Sequence, residues 1–164
     1  MGFLIGILVR GLTFPGVILD LLINLLVAKI LKIEIIEMNH LFVINGNPIE
    51  IAEPKEYSKL FIFAIIPFIL MTIIAIPFCY LYVAGYSGWY GWLGVSIATH
   101  SFPEIAIGKM IWARNKIEFA NKNYFSLFAY PFVILIYVIR VLHIFWIDIL
   151  YGFLIIGAIK YLFQ

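Results

Sequence analysis

The stretch that most constrains this chain runs from residue 60 to residue 99, where 40 consecutive residues include no Asp, Glu, Lys, Arg or His. A helix needs about 20 apolar residues to cross the hydrocarbon core of a bilayer, so this stretch is long enough for two crossings. Of all 164 residues, 65% are hydrophobic and 12% are charged, against about 45–50% and 25% in soluble domains. The sequence therefore predicts one integral membrane domain over residues 1–164, of the all-α class. Its expected partner is the lipid bilayer that surrounds it.

Breaks in the apolar pattern divide the chain into about five transmembrane helices. Pro15 is suited to a first helical turn, because its fixed φ fits there and its missing N–H is not needed. The first helix is therefore expected over residues 14–31. The later helices are expected over residues 60–84, 93–112, 124–142 and 145–162.

The segment after the first helix is the one amphiphilic part of the sequence. Glu residues intersperse there with Ile and Val, and Asn45-Gly46 is a typical hairpin turn. We expect a small β-hairpin over residues 33–52. A lone hairpin is marginally stable in water, so this one is expected at the membrane surface or against the helices.

The distribution of basic residues predicts the orientation of these spans. Only Arg10 and Arg140 fall on one side of the membrane, and the positive-inside rule makes the opposite side cytoplasmic. The sequence thus predicts a multi-pass protein of the cell membrane whose hairpin and C-terminus are cytoplasmic. Snorkelling side chains at the outer interface are expected for Arg140, His143 and Asp148. Nine basic residues fall on the cytoplasmic side: Lys29, Lys32, Lys55, Lys59, Lys109, Arg114, Lys116, Lys122 and Lys160.

Two further observations narrow the function. The formal net charge is +2 and no basic cluster with interleaved aromatic residues is present, so nucleic acid is not an expected partner. The single cysteine, Cys79, excludes a disulfide within the chain and a zinc site built from several cysteines. Cys79 lies in an apolar run and is expected to be a small buried side chain.

Four polar residues inside the apolar segments form the candidate site. Asp20 and Asn24 share a helix face at i,i+4, and His100 and Glu104 have the same spacing around Pro103. A charged group at membrane depth costs about 2.5–3.5 kcal/mol on insertion scales, so such groups usually face protein or a water-filled cavity. Two interpretations stay open. In the first, the four residues make contacts between helices, either as hydrogen bonds, with His100 holding the third span to the first, or as a pair of Asp20 with an arginine. In the second, they line one polar intramembrane site.

The stretch "PGVILDLLIN" resembles the P-G-x-x-x-H-E-x-x-H motif of the site-2-protease-like intramembrane zinc metalloproteases. The later stretch "GVSIATHSFPEIAIGKMIW" is similar to G-x-S-I-x-x-H-x-F-P-S-x-x-D-A-x-x-L-W in a prokaryotic branch of that family. The residues that fit this second motif are Gly94, Ser96, Ile97, His100, Phe102, Pro103 and Trp112.

The resemblance places Asp20 and Asn24 at the positions of the two zinc-binding histidines, and Leu21 at the position of the general base. Ile107 falls at the position of the later acidic residue. Zinc needs imidazole, thiolate or carboxylate ligands, so Asn24 is a poor ligand, while Leu21 and Ile107 cannot take part in the chemistry.

The resemblance therefore implies a catalytically inactive relative, without a cofactor, that binds other membrane proteins. Two other functions stay open at this point. One is a metal-dependent membrane hydrolase in which Asp20, His100 and Glu104 hold zinc. The other is a small transporter subunit, although no repeat between the halves of the chain supports it.

Overall fold

The computed structural model describes residues 11–38, 49–123, 126–127, 129–142 and 147–163. This part of the chain contains six helices and one two-stranded antiparallel sheet. In chain order the elements are α1 (Phe14–Leu31), β1 (Ile35–Met38), β2 (Ile49–Ile51), α2 (Tyr57–Val83), α3 (Gly88–Thr99), α4 (Ile105–Ala120), α5 (Ala129–Leu142) and α6 (Ile147–Phe163).

Helices α1 and α2 are the two described helices that are long and apolar enough to cross a membrane. Only 28% of the residues in the apolar window of α1 and 33% of those in the window of α2 are buried. The other four described helices have 12 to 17 residues. The mostly helical fold with a small sheet agrees with the sequence, whereas the number of membrane crossings stays a prediction.

The predicted third span over residues 93–112 is wrong as a single helix. The structure has α3 and α4 there, joined by a non-helical connection from His100 to Glu104. Pro103 has no N–H and disfavours helical geometry at the preceding residue. The backbone N–H groups of His100 and Ser101 instead donate to carbonyls three residues earlier, at Ile97 and Ala98.

The hairpin predicted over residues 33–52 is present as the pair β1 and β2. The strands are antiparallel, with Ile35 opposite Ile51 and Met38 opposite Ile49. Ile49 and Ile51 are buried and Glu50 between them is exposed, so one face of β2 packs on the helices while the other faces outward. The turn predicted at Asn45-Gly46 lies outside the described residues.

Small residues bring α3 close to two other helices. A Cβ added at Gly94 would lie 2.5 Å from the Sγ of Cys79 on α2, and one at Gly152 on α6 would lie 3.0 Å from Val95 of α3. Small residues at these positions let the helix backbones approach one another closely. Cys79 is fully buried in this contact, as the sequence predicts.

The C-terminal helices complete the fold. Gly108 of α4 faces Ile136 of α5, and Trp112 faces Tyr130, so these two helices form an antiparallel pair. Asp148 was expected with a snorkelling side chain, but it is buried in the first turn of α6. The predictions for Arg10, Arg140 and His143 concern residues or side chains outside the described part.

Candidate functional site

The Pro-Gly that opens α1 forms a close contact with the end of α3. A Cβ added at Gly16 would lie 2.1 Å from the backbone oxygen of Ser96, so a larger residue does not fit at this position. The N–H of Gly16 donates to the Oγ of Ser96 at 2.9 Å, and that hydroxyl donates to the carbonyl of Thr13 at 3.0 Å. We call Thr13, Gly16, Ser96 and His100 the helix clamp.

His100 belongs to this clamp. Its Nε2 lies 2.8 Å from the Oγ1 of Thr13, which ties the end of α3 to the start of α1. This is the kind of contact that the first interpretation of His100 describes. Thr13 precedes Asp20 by seven residues, or about 10 Å along a helix axis, and His100 is not among the residues that line the pocket around Asp20.

That pocket brings together the other three predicted site residues. Asp20 and Asn24 reach it from α1, and Glu104, the N-cap of α4, reaches it from the connection after α3. The Nδ2 of Asn24 donates to the Oδ1 of Asp20 at 2.7 Å and to the backbone oxygen of Asp20 at 2.9 Å. The complete lining is Asp20, Asn24, Ile49, Phe63, Ala64, Pro67, Ser101, Phe102, Pro103, Glu104 and Ile107.

The size and lining of this pocket limit what it holds. Its cavity volume is about 30 Å³, which is room for a few water molecules or one small polar group. Most of the wall is apolar, and the hydroxyl of Ser101 already donates to the carbonyl of Ala98 at 2.8 Å. The carboxylates of Asp20 and Glu104 and the amide of Asn24 therefore supply the chemistry of this pocket.

Ile107 and Leu21, the two motif positions with apolar side chains, are both packed against the protein interior. Ile107 is 7% exposed and lines the pocket beside the carboxylates. Leu21 follows Asp20 on α1 and packs against the hydrophobic core. Neither side chain can accept or donate a proton. In the described part of the chain, no group of three or more His, Cys, Asp or Glu side chains is placed to hold a metal ion.

The sequence did not predict a second polar cluster, at the start of α2. The Tyr57 hydroxyl donates to the Oδ1 of Asn115, which is fully buried on α4. One guanidinium nitrogen of Arg114 donates to the carbonyl of Lys55 at 2.8 Å, and its Nε lies 3.3 Å from Glu118. The predicted helix ends at residue 112, whereas α4 continues to Ala120, and Arg114 and Asn115 on this continuation contact Lys55 and Tyr57.

Comparison with known proteins gives no relative for this chain: no protein-family model, curated protein or solved structure matches it.

Proposed function

We propose that this chain is a multi-pass protein of the cell membrane, with its C-terminus in the cytoplasm, and a catalytically inactive relative of the site-2-protease-like intramembrane metalloproteases. In this proposal it binds other membrane proteins through the pocket between α1, α2 and α4. The membrane part states that the chain lies in a bilayer, the descent part that its pocket derives from a metal site, and the binding part that the pocket now binds other membrane proteins.

The exposed surface of α1 supports the membrane part. Ile18, Leu22, Leu26 and Ile30 follow one another at four-residue intervals along one face of the helix, and each is between 42% and 68% exposed. A continuous apolar face of this kind is rare on a soluble monomer. Lipid chains would cover it without any further protein.

The main observation in support of the descent is that three motif positions line one pocket. By resemblance, Asp20, Asn24 and Ile107 stand where the zinc ligands of the metalloproteases stand. Asp20 and Asn24 lie close together because they are four residues apart on α1. Ile107, however, lies on α4, far along the chain. All three line the same pocket, as a former metal site requires.

The remaining side chains support binding rather than catalysis. Asp20 and Glu104 can accept hydrogen bonds, and Ile49 of β2 lines the same pocket. An extended segment of a partner that pairs with the hairpin edge by strand addition would therefore pass beside these carboxylates. The partner in this proposal is a membrane protein with a locally unwound helix, whose free N–H groups the carboxylates would satisfy.

The descent is tested by restoring ligands to the pocket. The triple variant Asp20→His, Asn24→His, Ile107→Asp is expected to purify with about one zinc per chain, because these three positions would then supply two imidazoles and a carboxylate. Elemental analysis of the detergent-purified protein gives the metal content.

The matched control places the same histidines on the exposed face of the same helix, as Ile18→His and Leu22→His with Ile107→Asp. This control is expected to bind no stoichiometric zinc. A folded triple variant with no more zinc than the control would refute the descent from a metal site.

The binding part is tested by photo-crosslinking in intact membranes. A benzophenone amino acid at Phe102, which lines the pocket, is expected to give a defined crosslinked membrane protein that is lost when Asp20 and Asn24 are both changed to Ala. The same amino acid at Phe153, which is 58% exposed on α6, serves as the control. Identical products from both positions would contradict a binding role for the pocket.

A metal-dependent hydrolase is the second candidate, since Asp20 and Glu104 do share the pocket. Elemental analysis of the unmodified protein separates the two candidates. A stoichiometric metal that disappears in Glu104→Gln would favour the hydrolase, and a metal-free protein would favour the inactive relative.

A further inference from the structure

Helix α4 carries two chemically different faces. Lys109, Trp112 and Lys116 are spaced by three and four residues and therefore share one face of the helix. Glu118, the acidic residue within α4, comes nine positions after Lys109, or about 180° around the helix. Glu118 pairs with Arg114 on that other side. The shared face thus presents two ammonium groups around an indole ring with no carboxylate of the same helix beside them.

Side-chain contacts organise this face, which we call the basic-aromatic face and define as Lys109, Trp112, Lys116 and Tyr130. The Nζ of Lys116 lies 5.7 Å from the ring centroid of Trp112, within the range of a cation–π contact. The ring of Trp112 meets that of Tyr130 of α5 edge-on, with centroids 5.4 Å apart. Both lysines are exposed, and neither takes part in the ion pairs of the described residues.

The polar cluster at the start of α2 fixes the depth of this face. Arg114 donates to the carbonyl of Lys55 and Asn115 accepts from Tyr57, so this part of α4 lies level with the point where the long apolar helix begins. Trp112 and Lys116 are within one turn of that level. Lys109 lies about 7.5 Å deeper along the axis, a depth from which a lysine can extend its ammonium to the boundary.

This arrangement suits the headgroup layer of a membrane. Trp and Tyr are enriched where hydrocarbon meets headgroups, and unpaired lysines at that level attract anionic lipids. A zwitterionic choline headgroup would bring its own positive charge toward two ammonium groups, whereas an anionic phospholipid brings a net negative charge. The face therefore distinguishes the two kinds of lipid by electrostatics.

We propose that the basic-aromatic face of α4 and α5 is a binding site for anionic phospholipid in the cytoplasmic leaflet, an inference that rests on the proposed insertion of this chain in a membrane. The phosphodiester is held between the ammonium groups of Lys109 and Lys116. Trp112 and Tyr130 pack against the glycerol and the first methylene groups of the lipid.

Native mass spectrometry of the detergent-purified full chain tests this site, with an equimolar mixture of chain-matched phosphatidylglycerol and phosphatidylcholine as the probe. The unmodified protein is expected to retain phosphatidylglycerol in preference. Lys109→Gln with Lys116→Gln is expected to reduce that preference about 25-fold, from roughly 1 kcal/mol for each lysine at 1.4 kcal/mol per tenfold. Trp112→Leu is expected to give a smaller loss.

The matched control is Lys29→Gln with Lys32→Gln, which removes two exposed lysines from the end of α1 on the same side of the membrane. It is expected to keep the preference, and excess inorganic phosphate is expected not to displace the lipid. Equal losses in both double variants, equal binding of the two lipids, or displacement by phosphate would each overturn the lipid site. Failure of the membrane proposal is a separate result, since carbonate extraction would then release the chain from membranes.

Discussion

Replacing Gly16 by alanine is expected to separate the first helix from the third. The added Cβ would lie 2.1 Å from the backbone oxygen of Ser96, 2.6 Å from its carbonyl carbon and 2.8 Å from Cδ2 of His100. Two of these three atoms belong to the backbone, so a rotamer change cannot relieve the clash. Helix α1 must move by about 1 Å to restore an ordinary contact, since overpacked positions are relieved by backbone shifts.

The structure gives an approximate size for this effect. Overpacking of a tight interface costs about 1–3 kcal/mol. A shift of α1 also weakens the three clamp hydrogen bonds among Thr13, Gly16, Ser96 and His100. In the proposed membrane setting, each of them is worth about 0.6 kcal/mol. The expected loss is therefore roughly 3–5 kcal/mol in the free energy of unfolding.

Equilibrium unfolding of the detergent-purified protein, by an increasing mole fraction of sodium dodecyl sulfate, measures this loss. Gly157→Ala is the matched control, because a Cβ at that glycine of α6 meets nothing within 4 Å and alanine has the higher helix propensity. Adding Ser96→Ala to Gly16→Ala is expected to give no rescue, since the obstacle is backbone. A Gly16→Ala protein within about 0.5 kcal/mol of the unmodified one would refute the reasoning.

Two further predictions concern buried groups on other helices. Tyr57→Phe is expected to lower the free energy of unfolding by about 1–3 kcal/mol in the same assay, because the fully buried amide oxygen of Asn115 loses its hydrogen-bond donor. The control is Tyr161→Phe, at a residue that is 88% exposed, which is expected to leave the stability unchanged. Equal effects of the two substitutions would contradict the role of the buried contact. Cys79 is fully buried between α2 and α3, so it is expected to react with a maleimide only after denaturation, and rapid labelling of the folded protein would show that these helices do not pack as described.

Local chemistry allowed the sequence to predict several elements closely. The helix expected over residues 14–31 is Phe14–Leu31 in the structure, because Pro15 is favourable in a first turn and the residues that follow are apolar helix formers. The hairpin could also be predicted, because the alternation of apolar and charged residues and the turn residues that define it lie within a short segment. The pairing of Asp20 with Asn24 follows from helix geometry in the same way.

Features that depend on partners distant in sequence could not be predicted. The apolar stretch over residues 93–112 predicts a single helix, but the structure ends α3 at Thr99 and begins α4 at Ile105. The continuation of α4 through Arg114 and Asn115 was not predicted, because the groups that they contact, at Lys55 and Tyr57, come from another part of the chain.

The sequence by itself determined a strongly apolar, mostly helical chain and singled out four polar residues within its apolar segments, since hydropathy and spacing are local properties. Only the tertiary structure decided how those four residues are divided. The close approach at Gly16 draws His100 to Thr13, while the break at Pro103 turns Glu104 and Ile107 toward Asp20 and Asn24. The physical reason is that a pocket is made by surfaces of several helices, and their relative position is set by packing contacts that no single segment contains.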